Sequence, residues 1–207
     1  LHLSLRRQRQ MCIRDSLLDG RVRGTHHLRL RLSPSKPLVV FGENGVSRKG
    51  ASPAAASHYL TYPRLRAEGH LIRKNRPVLK VHGSAWMDHE ISSSQLDPDQ
   101  VGWDWLGIQL DDGREIMVYV LRKTDGTADP ASKLTWVGLE SGLQAFATDA
   151  FKLTGKGRWK SSASGSTYPA GMVLECVDPH SGNPRHLEIV PRFAAQEISS
   201  KLGKALS

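Results

Sequence analysis

Residues Gly102–Arg122, GWDWLGIQLDDGREIMVYVLR, decide the fold. Asp112-Gly113 is a type I′ turn signal, and the runs on either side are rich in β-branched and aromatic residues. The stretch therefore reads as a β-hairpin with a two-residue loop. That loop pairs Leu110 with Glu115 and Trp103 with Arg122. One face then carries Leu106, Ile108, Leu110, Met117, Tyr119 and Leu121, and the other Trp103, Trp105, Ile116, Val118 and Val120. A hairpin with one wet side alternates apolar with polar residues, whereas this one is apolar on both. The pattern predicts a wall covered on both sides, as in a barrel or sandwich, and not an edge hairpin.

Outward from the hairpin the chain reads as all-β. Its 207 residues are 39% hydrophobic, enough for a real core, and 19 Gly with 11 Pro suit a turn-rich β protein. Thr25–Leu32, Pro37–Phe41, Leu134–Gly138, Phe151–Leu153, Met172–Cys176 and Leu187–Pro191 read as short strands bounded by Gly, Pro, Ser or Asp. Leu71–Gly83 reads as one strand system with Trp86–Glu90. Residues 42–65, GENGVSRKGASPAAASHYLTYPRL, read as a long polar loop feeding an aromatic segment. Only Phe193–Leu206 carries a helical pattern. Many short strands with almost no helix between them indicate an antiparallel barrel or sandwich.

Residues 1–16, LHLSLRRQRQMCIRDS, have neither helical period nor strand alternation. They resemble translated linker sequence and are expected to be a non-native leader without a secretory signal. Their four arginines against one aspartate supply three of the nine net positive charges. The remaining Lys and Arg are scattered, and no nucleic-acid motif organises them, so no nucleic-acid partner is expected. No apolar run approaches the roughly 20 residues of a membrane helix. Cys12 lies in the leader. Cys176 alone in the body reads as a small buried hydrophobe, which argues against a disulfide framework or a cysteine zinc site.

Chemistry-bearing residues fall in three places. In a strand through HGSAWMDHE, Trp86, Asp88 and Glu90 share one face and Met87 and His89 the other. Two carboxylates backed by an indole suit a general acid, since apolar surroundings raise a carboxyl pKa; the same carboxylates also suit ion pairs or backbone caps. His82 and His89, seven residues apart, fall on opposite faces, so no metal is expected. Trp103 and Trp105 share a face that can stack a ligand or simply pack, and Asp104 points the other way. Arg122, opposite Trp103, is a candidate cation-π partner. Glu43, Asn44, Ser47, Arg48 and Lys49 form a polar, glycine-bounded loop able to close over a pocket or to stand in solvent. The serines at 47 and 92–94 lack a nucleophile-elbow setting, so a serine hydrolase is not supported.

The ordered set GENGVSRKG, ASHYLTYPRL, HGSAWMDHE, GWDWLGIQLDDGREIMVYVLR with TDGT, the W-K-S-x-x-S-G-x-x-YP pattern and IVPRFAAQE closely resembles the AttH-like family. That family is related to carotenoid 1,2-hydratase and often labelled as a secreted hydrolase. The resemblance spans about Leu17 to Ser207. It implies two packed lipocalin-like β-barrels: residues 17–155 as the first, incomplete at its N-terminus, and 156–207 as the start of the second. It further implies hydration of a carbon-carbon double bond in an isoprenoid or other lipid-like substrate. Asp88 would be the acid, Trp103, Trp105 and Tyr119 would stabilise a cation, and His89 or Glu90 would hold the water. Trp86 and the 43–49 loop are substrate-binding candidates, and Asp104 a further catalytic one. No cofactor is implied. The hairpin register above puts Tyr119 across from the two tryptophans. A non-catalytic carrier of apolar ligands and an interaction module are the alternatives. Membrane-surface association is open, and the resemblance implies a periplasmic or secreted location.

Overall fold

The structure, a computed structural model, describes residues 3–4, 16–22, 25–92, 96–140, 142–193, 195 and 197. Most of the expected leader and nearly all of the expected helix at 193–206 lie outside these residues. A curled antiparallel sheet contains β1 (Leu3–Ser4), β2 (Ser16–Val22), β3 (His26–Pro34), β4 (Val39–Phe41), β5 (Ser47–Arg48), β6 (Ala56–Arg73) and β7 (Leu79–Ser92). A second sheet holds β8 (Gln100–Gln109), β9 (Glu115–Lys123), β10 (Lys133–Val137) and β11 (Leu143–Phe146). After a single 3-10 turn at Thr148–Ala150 come β12 (Lys152–Lys156), β13 (Trp159–Lys160), β14 (Thr167–Tyr168), β15 (Gly171–Val177) and β16 (Pro184–Ile189). Strands β12, β15 and β16 form a third sheet, and β13 pairs with β14. The architecture is all-β, as expected.

Strand β6 organises the first sheet, pairing with β3, β4, β5 and β7. Ser57, Tyr59, Thr61, Leu65 and Ala67 are buried on its inner face, while Arg66, Glu68 and His70 point out. The sequence reading takes residues 42–65 as a long polar loop feeding an aromatic segment, whereas Ala56–Arg73 is one continuous strand. In the fold, Pro63 sits where the β6–β7 register shifts between Tyr62 and Leu65, a bulge that needs no ladder donor there. The strand system read from Leu71 through Glu90 is divided by a turn at Lys74–Val78, in which Asn75 has φ 57°, so that its start belongs to β6 and the rest to β7.

The hairpin forms, with a correction to its register. Leu110 N bonds Arg114 O at 2.9 Å, so the loop is Asp111-Asp112-Gly113, three residues with Gly113 at φ 85°. The pairs are Gln109 with Glu115, Trp105 with Tyr119 and Trp103 with Leu121; Arg122 faces Gly102 and not Trp103. A slip of one residue exchanges the faces of one strand relative to the other. Trp103, Trp105, Met117, Tyr119 and Leu121 therefore share one face, and Leu106, Ile108, Ile116 and Val118 the other.

Both faces are covered, as the apolar pattern predicts. Met117, Tyr119 and Leu121 pack with Val39, Phe41 and Tyr59 of the first sheet. Ile116, Val118, Leu134 and Trp136 pack with Leu174 and Cys176, and with Leu153, Leu187 and Ile189, of the third. Cys176 is buried there, and burial raises its thiol pKa.

Two charged clusters tie the layers at the hairpin end. Glu115, fully buried, receives Lys36 Nζ at 2.7 Å and Arg64 Nε at 2.6 Å. Asp178, from the turn between β15 and β16, bridges Arg114 at 2.7 Å and Arg185 at 2.6 Å. Arg114 first, with Arg185 assisting, holds the Asp178 carboxyl far below the usual carboxylate range. Arg114 also lies over the Trp136 ring, 4.9 Å from its centroid.

Candidate functional site

A cavity of about 280 Å³ opens between the first two sheets, lined by Lys49, Tyr59, Asp88, Glu90, Trp103, Trp105, Tyr119 and Leu121. The one-residue register difference brings Tyr119 into this cavity with both tryptophans. Two-residue periodicity along β7 places Asp88 and Glu90 on its wall.

Asp88 is held by three donors. Thr61 Oγ1 at 2.6 Å and Trp86 Nε1 at 2.7 Å both reach Oδ1, while Tyr59 Oη reaches Oδ2 at 3.0 Å. The direction of the last bond is fixed from behind. Trp105 Nε1, which can only donate, bonds Tyr59 Oη at 3.0 Å, so the phenol proton points at Asp88. Burial, and after it the Asp88 charge, raises the Tyr59 pKa well above that of an ordinary phenol, so Tyr59 remains a donor. Trp86 and Trp105 meet edge to face at 5.9 Å. Gly107 makes room for them, since a Cβ there would stand 2.7 Å from Trp105 Cη2 and 3.0 Å from Trp86 Cδ2.

Glu90, which lines the cavity, accepts Ser57 Oγ at 2.5 Å and Lys49 Nζ at 3.0 Å, both on Oε1. The Lys49 ammonium also lies 4.6 Å from the Tyr59 ring centre and 4.5 Å from that of Tyr119, within cation-π range. Its backbone is fixed on both sides. Lys49 N bonds Ala55 O at 2.7 Å, and Gln100 Nε2 bonds Lys49 O at 2.8 Å. Asp97 accepts from Ala51 N at 2.7 Å and presses on Gly50, where a Cβ would stand 2.1 Å from Oδ2.

The 43–49 loop is thus divided. Lys49 enters the first cavity, whereas Glu43, Asn44, Ser47 and Arg48 line a second, of about 590 Å³, with Phe41, Lys133 and Thr135. Tyr119 borders both, and Ser47 opposes the rise in its phenol pKa. Asp104 lies on the far face of β8, paired with Arg122 at 3.1 Å. His89 lies on the far face of β7, opposite Leu60 in register. Neither reaches the cavity. Ser57, Tyr59 and Thr61 are absent from the sequence expectation; their signal is the alternation S-x-Y-x-T within ASHYLTYPRL. Among the described residues, no three of His, Cys, Asp and Glu converge as metal ligands.

Tyr119 offers a direct check of this burial. Desolvation, aided by Glu90 and opposed by Ser47, has its phenol pushed up to about 12. An unfolded tyrosine ionises near about 10. The folded state keeps the proton longer, so this contribution to stability is complete below about pH 10 and is lost as pH rises towards 12. An absorbance titration of wild type against Tyr119→Phe is expected to assign to Tyr119 a phenolate signal appearing near pH 12. A signal near 10 that disappears in the variant would refute the buried placement.

A family model described as AttH-like matches residues 4–204. The chain belongs to the AttH-like family. A solved structure described as an AttH of Nitrosomonas europaea has a TM-score of 0.76 to this AttH-like chain at 29% identity, over 91% of this chain and 57% of its own. Kievitone hydratase of Nectria haematococca has a TM-score of 0.59 at 14% identity, over 79% of this chain and 55% of its own, and at that identity shows the fold alone. The chain therefore spans little more than half the length of either solved protein. No curated protein matches the sequence. These likenesses bear out the family resemblance and the lipocalin-like β architecture.

Proposed function

We propose that the Asp88 cavity binds an apolar, unsaturated ligand such as an isoprenoid and adds water across its double bond, with Asp88 as general acid. The observation that carries this reading is the arrangement around Asp88. Its Oδ1 has two donors and its Oδ2 one, so a proton on Oδ2 can face the cavity beside two partly exposed indoles. Transfer of that proton to one alkene carbon forms the new C–H bond and leaves the positive charge on the other carbon. Lys49 already stands over one face of Tyr59 and one of Tyr119, so the π surface assigned to that cation is that of Trp103 and Trp105, 48% and 37% exposed. A water oxygen then bonds to the cationic carbon and gives its proton to Glu90. Glu90 then releases that proton to solvent and Asp88 takes one up from solvent, so the sum is the addition of one water. The Lys49–Glu90 pair keeps the ammonium from opposing the cation. The fold shared with a hydratase supports this choice of reaction class.

Mass spectrometry of the protein incubated with acyclic isoprenoids and unsaturated lipids is the test. A product heavier by one water supports the hydratase reading. Ligand that is bound and returned unchanged sinks it in favour of a carrier, a reading favoured by the same observation that Asp88 already accepts three bonds from the protein.

A further inference from the structure

At the end of the first sheet farthest from the cavity, the β2–β3 and β6–β7 turns lie side by side. His26 pairs with Arg73 in register, and Lys74 N bonds Thr25 O at 3.0 Å. Cationic residues cluster here: Lys74, Arg76 and Lys80 fall within the seven residues 74–80, and Arg21 stands on neighbouring β2, all exposed. Lys74, Arg76 and Lys80 make no ion pair among the described residues. Residues 69–87 contain no Asp or Glu. The nearest acidic groups are engaged, Asp19 with His27 at 2.6 Å and Arg29 at 3.3 Å, and Glu68 with Arg66. Between the cations, at the tip itself, Val78 and Leu79 stand 54% and 42% exposed.

We propose that this tip docks the protein on an anionic lipid surface, with Lys74, Arg76 and Lys80 among the headgroups and Val78 and Leu79 entering the boundary with the acyl chains. Charge complementarity selects a polyanion. The aliphatic pair selects lipid among polyanions, because phosphate contacts on a nucleic acid leave such side chains in water, whereas a bilayer interface buries them. The docked protein keeps its cavity clear of the bilayer, since Asp88 lies nine residues along β7 from Leu79, about 30 Å in an extended strand. Docking does not depend on what the cavity does.

Co-sedimentation of the full chain with vesicles tests this, using phosphatidylcholine alone and phosphatidylcholine mixed with phosphatidylglycerol. Binding is expected only to the anionic vesicles and should weaken as salt shortens the range of the charges. Each basic residue near such a surface contributes roughly fivefold in partitioning, so Lys74→Gln with Arg76→Gln should lower it about 30-fold. Val78→Ser with Leu79→Ser should weaken vesicle binding and leave binding to a DNA duplex unchanged. All four positions are exposed, and circular dichroism confirms that each variant is folded. Equal binding to neutral vesicles, binding to neither kind, no loss in either double variant, or tighter binding to the duplex than to the anionic vesicles would each overturn the proposal.

Discussion

Replacement of Glu115 by leucine is expected to lower stability by about 3–5 kcal/mol, the range for removing one partner of a buried ion cluster. The carboxylate is 0% exposed and holds Lys36 on one oxygen and Arg64 on the other. Lys36 has little access to water, with its side chain 7% exposed, and its remaining bond is to Gly138 O at 2.9 Å. Without the carboxylate, Lys36 stays buried with its charge unpaired, while Arg64, a quarter exposed, keeps only its bonds to the Leu110 and Arg114 carbonyls. Glu115→Gln preserves shape but substitutes an amide donor against one of the cations, so most of the loss should persist. Since domains are stable by only about 5–15 kcal/mol, either variant should unfold at much lower urea. The effect should hold at high salt, because buried charges are poorly screened. A urea midpoint within experimental error of wild type would show that the cluster contributes nothing.

Asp88→Asn is expected to leave ligand binding nearly intact and to cut hydration by about 10²–10⁴-fold, the usual worth of a positioned acid. The amide keeps the oxygen that Thr61 and Trp86 bond. It loses the acidic proton and turns an NH2 towards Tyr59, whose own proton must then move elsewhere. Tyr59→Phe separates the two effects, removing the Oδ2 contact while leaving the acid, and should cost less. Binding followed through the fluorescence of Trp103 and Trp105 distinguishes a dead catalyst from a lost pocket. Turnover of Asp88→Asn at the wild-type rate would remove Asp88 from the mechanism.

How far the site could be read in advance depended on range. Asp88 and Glu90 share a wall because strands have a period of two, which is local and was legible. Tyr119 was misplaced because D-D-G permits a two-residue or a three-residue loop, each ending on a glycine free to take positive φ. Alternation of apolar and polar residues usually decides such a case, but this hairpin is buried on both faces and has none. What selects the longer loop is Arg114, held by Asp112 and by Asp178, the latter 64 positions away. No local pattern carries that contact. Strand β6 was read in part as loop; it continues through Pro63 because a bulge against β7 receives the proline, a long-range pairing that no local pattern carries. The 43–49 loop was recognised as polar and glycine-bounded. Its division between two cavities rests on Asp97 and Gln100, about fifty residues downstream, which clamp only the Lys49 end.

The doubly buried strand Glu115–Lys123 has a consequence for how the molecule melts. Neighbouring side chains along it belong to different interiors: Ile116 and Val118 to one, Met117 and Tyr119 to the other. Neither interior can be opened while the other stays intact, because each supplies half the reason for this backbone to be straight. Heat should meet a single cooperative body here, with the two halves lost in one calorimetric event.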